Sequence, residues 1–158
     1  MLSETRERKS WTIEAARPKE VNALLVLLAA AELPSAGFAS HLGNALVACD
    51  DGRPVGCVAL ELYGEEALLR SLVVSPVARG RGLGERLTAA ALDLAEARGA
   101  RRVWLLTTTA ERFFPRFGFL EVPRTELPAA LAASEELRGA CPASAVAMGL
   151  VLDEHDAP

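Results

Sequence analysis

Apolar positions recur along this chain in two rhythms, and the change of rhythm marks the elements. Trp11 to Arg17 is short and β-prone, a first strand. Pro18 suits a first helical turn, and Val21, Leu24, Leu25 and Leu28 then follow the i, i+3, i+4, i+7 spacing of one helical face. Pro34, Ser35 and Gly37 break that helix, and residues 35–43 fit either a short second helix or a loop. Ala45 to Cys49 reads as a strand, Asp50-Asp51-Gly52-Arg53 as a turn, and Pro54 to Leu62 as the returning strand. Gly64-Glu65 turns the chain again. Ala67 to Val74 is almost continuously apolar, as expected of a strand covered on both faces, and Pro76 ends it.

The helical rhythm returns in Leu83, Leu87, Ala90, Ala91 and Leu94, and Gly99 offers a left-handed stop. Val103 to Leu106 is a further buried strand, Glu111 to Phe117 a short helix, and Phe119 to Val122 a strand closed by Pro123. Ala-rich Pro128 to Leu137 reads as helical and Ala143 to Leu152 as the last strand. The order β-α-(α)-β-β-β-α-β-α-β-(α)-β predicts an α+β fold with a mixed sheet.

The length of 158 residues holds one domain, with a core over about 11–152. Hydrophobic residues at 51% exclude wholesale disorder. The net charge of −4 argues against a nucleic-acid partner, which selects a basic face. Lys9 and Lys19 are the only lysines, so arginine supplies nearly all of the 17 positive charges, and local arginine clusters can still hold anions. The longest apolar run, Leu24 to Ala31, is far below the roughly 20 residues of a membrane span. The charged start at Ser3 to Lys9 does not resemble a signal peptide, so the expectation is a cytoplasmic protein with no membrane partner. Cys49, Cys57 and Cys141 fit no metal template and read as small buried hydrophobes; no metal site is expected.

The chemistry is concentrated between the strand ending at Pro76 and the helix starting near Leu83. Helix N-termini carry unpaired N–H groups and partial positive charge. Gly80, Gly82 and Gly84 let the backbone approach an anion, and Arg79 and Arg81 add donors matched to phosphate. The stretch reads as a pyrophosphate cradle. It is not a P-loop, because no Gly-Lys-Ser/Thr follows, and it lacks the spacing of a dinucleotide fingerprint.

Arg79-Gly80-Arg81-Gly82-Leu83-Gly84 resembles the R/Q-x-x-G-x-G/A motif of the GNAT superfamily, which moves acetyl groups from acetyl-CoA to amines. Phe113-Phe114-Pro115-Arg116-Phe117-Gly118-Phe119 resembles its aromatic-x-x-x-Gly-Phe signature. The resemblance covers about Trp11 to Leu152 and implies a mixed, mostly antiparallel central sheet flanked by helices. More narrowly, Leu68 to Val74, Leu105 to Ala110 and Cys141 to Val146 resemble the bacterial arsenic-resistance-type N-acetyltransferases. The resemblance implies acetyl-CoA as cofactor. Main-chain groups of Leu72, Val73 and Val74 would then meet the pantetheine arm, Arg79, Gly80, Arg81, Gly82, Leu83, Gly84 and Glu85 would wrap the pyrophosphate, and Thr107 would touch the cofactor. Two positions depart from the pattern. Phe114 stands where a Tyr often protonates the leaving thiolate, and Arg70 where a Glu often acts as base.

Arg70 is a charge on an otherwise apolar strand and requires a partner. If the hairpin pairs in the right register, Glu61 shares its face. The pair then reads either as a buried ion pair alone, or as a site in which Arg70 holds an anionic group of the acceptor. In the second case Glu61, with a pKa raised by burial, takes the amine proton through water. Tyr63, Arg112 and Ser144 are candidate acceptor contacts, and His41 lies in the segment over the acceptor. The leading expectation is direct acetyl transfer to a small-molecule amine bearing an anionic group, in arsenic or xenobiotic resistance. The alternatives are a catalytically weak acyl-CoA-binding sensor and a protein N-acetyltransferase. A homodimer is compatible with the resemblance.

Overall fold

The computed structural model describes residues 11–140 and 144–152. Cys141, Pro142, Ala143 and His155 lie outside the described residues. The strands are β1 (Thr12–Ala15), β2 (Ala45–Asp50), β3 (Arg53–Tyr63), β4 (Glu66–Val74), β5 (Arg102–Thr107), β6 (Leu120–Val122) and β7 (Val146–Val151). Two α-helices, α1 (Val21–Ala30) and α2 (Leu83–Ala97), accompany them. The seven strands form one sheet in the order β1-β2-β3-β4-β5-β7-β6. Every neighbouring pair is antiparallel except β4 and β5.

The helical rhythm read from the sequence buries as expected. Leu83, Leu87, Ala91 and Ala95 of α2 pack on Val58, Leu60, Leu69, Val103 and Leu105 of the sheet. Each buried leucine contributes about 1.5–3 kcal/mol of transfer free energy. Leu24 and Leu28 of α1, joined by Phe38, cover Val47, Cys57 and Ala59 on the opposite face. Gly99 ends α2 in the left-handed region at φ 91°, letting the Ala100 N–H reach back to the Ala95 carbonyl at 2.9 Å.

Some elements differ from the expectation. Pro18 opens a 3-10 turn, Pro18–Glu20, ahead of α1, and residues 39–44 form another. Glu111 to Phe117 contains one 3-10 turn, Phe114–Phe117, because Pro115 lacks an N–H and Gly118 turns left-handed at φ 100°. Pro128 to Leu137 is not one helix. A 3-10 segment, Ala129–Ala133, stops at Ser134, whose backbone is extended, and a π-type turn, Glu136–Ala140, follows. Burial of Leu131, Ser134 and Glu136 against the sheet outweighs the helix propensity of the alanines.

Two irregularities of the sheet position the site. Pairing between β4 and β5 runs only from Glu66 and Arg102 to Leu68 and Trp104, while β4 continues to Val74 and β5 to Thr107. Beyond that point the strands part. The second irregularity is a bulge in β4. Ala59 opposes Arg70 and Cys57 opposes Val73, so Ser71 and Leu72 together face Val58. Ser71 takes a left-handed conformation, φ 62°, although it is not glycine.

Candidate active site

The start of α2 builds the first half of the site. The first hydrogen bond of the helix runs from Arg86 N–H to the Gly82 carbonyl at 3.0 Å, so the amides just before it point out of the helix end. Gly80 and Gly82 are left-handed, at φ 82° and 80°, and nothing lies within 4 Å of where a Cβ at Gly80 would stand. The open hollow of about 260 Å³ here is lined by Val74, Arg79, Gly80, Gly82, Gly84 and Arg116 among others. Its floor of unencumbered backbone and its two arginines fit a diphosphate group.

The second half lies in the gap between β4 and β5. A cavity of about 340 Å³ is lined on one side by Leu69, Arg70, Ser71 and Leu72 and on the other by Leu105 to Ala110. Phe114, Ala145, Glu136 and residues 32–34 complete the wall. Leu72 lines the cavity and Val74 the hollow, so the two adjoin along β4, about 7 Å apart at the rise of a strand.

A buried polar network borders the cavity. Arg70 Nη1 donates to Glu61 Oε2 at 2.6 Å, and both side chains are fully buried. Arg70 Nε donates to Ser71 Oγ at 3.1 Å and lies 3.4 Å from Glu136 Oε1; Nη2 donates to the Pro34 carbonyl at 3.2 Å. The Tyr63 hydroxyl donates to Glu61 Oε1 at 2.6 Å, and His41 Nε2 lies 3.8 Å from the same oxygen. Burial alone would raise the Glu61 carboxyl, but hydrogen bonds from Tyr63, Arg70 and Ser134, with His41 nearby, outweigh it and hold the group below its usual range. Burial, first, and then the Glu61 carboxylate push the Tyr63 phenol upward.

The hairpin register therefore brings Glu61 and Arg70 together, as supposed from strand alternation. Tyr63, expected as an acceptor contact, instead bonds Glu61, and neither Glu61 nor Tyr63 lines the cavity. The raised Glu61 pKa is corrected: the direction is opposite, because both carboxylate oxygens accept strong hydrogen bonds. Arg112 and Ser144 are both exposed and line neither the cavity nor the hollow. The Arg81 guanidinium sits 5.8 Å from the Trp11 ring centre, so its side chain packs there, outside the hollow. Val73 is buried among the α1-side residues, and its carbonyl points at Gly56 of β3, 3.0 Å from where a Cβ there would stand, so that carbonyl faces away from the gap. Thr107 lines the cavity while its hydroxyl accepts the Ala110 N–H at 2.9 Å. Sequence reasoning missed Ser71, Glu136 and Arg116. Only Arg116 carried a signal, its place inside the Phe-rich motif.

The Acetyltransferase (GNAT) family model matches residues 10–119. The chain belongs to the GNAT family. The amino-acid acetyltransferase of Neisseria meningitidis is 34% identical over 91 residues, 56% of this chain and 21% of that protein. The protein of that name from Mycobacterium tuberculosis is 35% identical over 79 residues, 49% of this chain and 45% of that one. This GNAT chain thus spans about a fifth of the first relative's length and under half of the second's. Among solved structures, N-acetylglutamate synthase from Neisseria gonorrhoeae, complexed with coenzyme A and N-acetyl-glutamate, superposes with a TM-score of 0.78 at 23% identity. The match covers 92% of this chain and 36% of that one. A Mycobacterium tuberculosis protein in complex with CoA and NLQ gives 0.75 at 23% identity, covering 90% and 99%. These likenesses show the GNAT fold. The narrower likeness to arsenic-resistance-type enzymes gives way to relatives named for amino acids. Among the described residues no helix is long and apolar enough to cross a membrane.

Proposed function

We propose that this protein is an acetyl-CoA-dependent N-acetyltransferase whose acceptor is a small amino acid or a close analogue. The observation that carries the reading is the placement of two neighbouring spaces along β4: the glycine-rich hollow at the start of α2, which Val74 lines, and the cavity where β4 leaves β5, which Leu72 lines. Family membership and the amino-acid names of the relatives support the same reading.

The amides of Gly80 to Glu85 and the Arg79 and Arg116 side chains would hold the diphosphate, and the unpaired edge of β4 from Leu69 to Val74 would hold the pantetheine arm. When bound, acetyl-CoA supplies an acetyl group activated as a thioester. The chain aligns the acceptor amine in the cavity beside it, and this positioning supplies much of the rate gain. The Ser71–Leu72 bulge interrupts the pairing of β4 with β3 beside the cavity. Glu61 is an anion that holds Arg70 and Tyr63 in place, so the amine proton passes to water. Phe114 lines the cavity and has no proton to give, so water also supplies the proton taken up by the departing sulfur.

The test is release of free CoA thiol from acetyl-CoA across the common amino acids, with mass spectrometry of the product. Acetylation of the α-amine of at least one small amino acid supports the reading. CoA binding with no turnover on any amine would favour the sensor alternative, which the Phe114 and Arg70 positions raise.

A further inference from the structure

The hollow at the start of α2 contains an anion of the protein's own. Glu85, in the first turn of α2, folds its side chain back toward the glycines: its Oε1 lies 3.7 Å from where a Cβ on Gly82 would stand. Glu85 Oε2 accepts a hydrogen bond from Arg116 Nη1. The Arg116 guanidinium lies over the Phe113 ring, 4.7 Å from its centre, and Phe113 also lines the hollow. Arg116, Glu85 and Gly82 are shared with a neighbouring groove of about 410 Å³ walled by Arg86, Ala89 and Phe117.

We propose that Glu85 is an internal placeholder for the phosphates of the cofactor, and that Arg116 is a phosphate-binding residue passed from one anion to the other. The inference rests on the CoA-dependent reading above and extends it to the state without ligand. Three features support the exchange. The site favours an anion, because helix amides and a guanidinium converge on it, and Glu85 is the carboxylate within reach. The ion pair is half-exposed on both sides, so solvent screens it and it yields readily. A diphosphate carries more charge than one carboxylate and offers more acceptor oxygens to the planar guanidinium. Stacking on Phe113 keeps Arg116 at the rim whichever anion it holds. The adjoining groove, with aromatic Phe117 and cationic Arg86, is placed to receive the nucleotide end beyond the diphosphate.

The test is calorimetric titration of CoA and of ADP, which carries the diphosphate but no thiol arm, into the wild-type, Glu85→Gln and Arg116→Gln proteins. Loss of the placeholder in Glu85→Gln should tighten both ligands roughly three- to fivefold, the range an exposed ion pair can hold back. Arg116→Gln should weaken both about tenfold, as expected for a lost charge-assisted bond. Both side chains are half-exposed, so melting temperatures should move little. Unchanged or weaker binding in Glu85→Gln overturns the placeholder, and unchanged binding in Arg116→Gln overturns the handover. Failure of the wild-type protein to bind CoA at all would instead remove the acetyltransferase reading, and this inference with it.

Discussion

Arg70 Nη1 and Glu61 Oε2 lie 2.6 Å apart, fully buried, one strand over from each other on the face that α1 covers. The guanidinium also reaches Ser71, Glu136 and the Pro34 carbonyl, so one side chain ties together β3, β4, the loop after α1 and the turn at residues 136–140. Except for β3, these segments are walls of the cavity between β4 and β5. Arg70 lines the cavity, and each of its three guanidinium nitrogens makes a hydrogen bond within this network.

Removing one partner of such a pair leaves a buried charge uncompensated. Arg70→Ala should destabilise the fold by about 3–5 kcal/mol, read as a lowered midpoint in urea unfolding. The double variant Arg70→Met with Glu61→Leu should recover much of that loss, because apolar residues of similar volume can replace a buried pair. A single variant as stable as wild type would show that the network does not hold the cavity.

The depressed Glu61 carboxyl links stability to acid pH. A group whose pKa is lower in the folded chain binds protons more readily when unfolded. Its contribution is present above the unfolded value of 4.5 and is lost as pH falls through the folded value. Stability should therefore decline below about pH 4.5 more steeply in the wild-type protein than in Glu61→Gln. Equal slopes in chemical unfolding at pH 3 to 6, in increments of roughly half a unit, would contradict this.

Cys57 acts in the alkaline direction. Burial pushes its thiol from 9.0 up to about 12, and the neutral S–H donates to the Ser71 carbonyl at 3.4 Å, behind the bulge. A raised folded value means stability that is complete below pH 9.0 and lost as pH rises toward about 12. Cys57→Ala should flatten that part of the stability profile. Tyr63, also shifted upward, should keep part of the slope in the variant.

Gly82→Glu places a carboxylate, on a residue that resists φ 80°, where the phosphates would sit. CoA affinity should fall by at least about a hundredfold. Gly82→Ala, with the same backbone penalty and no charge, should lose much less. Equal losses in the two variants, measured by calorimetry, would show that only backbone strain is at work.

The legible and illegible parts of this chain divide along physical lines. The strands and α2 were readable because burial imposes a period on them, as Leu83, Leu87, Ala91 and Ala95 illustrate. The sharp passage from β4 into α2 was readable because Pro76, Gly80 and Gly82 break the strand just before the helical rhythm begins. The Glu61–Arg70 pairing followed from strand alternation once the hairpin register was supposed. The bulge at Ser71 was not readable: Leu-Arg-Ser-Leu-Val-Val contains no glycine to mark a left-handed residue. Glu136 was equally hidden, because its approach to Arg70 joins distant parts of the chain across an Ala-rich segment whose propensity favours a helix. The direction of the Glu61 pKa depended on partners such as Ser134 that only the fold brings near.

The reading requires that the hollow at the glycines before α2 and the cavity at the parting of β4 and β5 together hold donor and acceptor. The most direct measurement is electron density from a crystal of the protein grown with acetyl-CoA. The account predicts diphosphate density against the amides of Gly80 to Glu85 and the thioester in the gap beside Leu72, facing the cavity that Arg70 borders. A cofactor lying elsewhere, or a thioester pointing away from that gap, would contradict it.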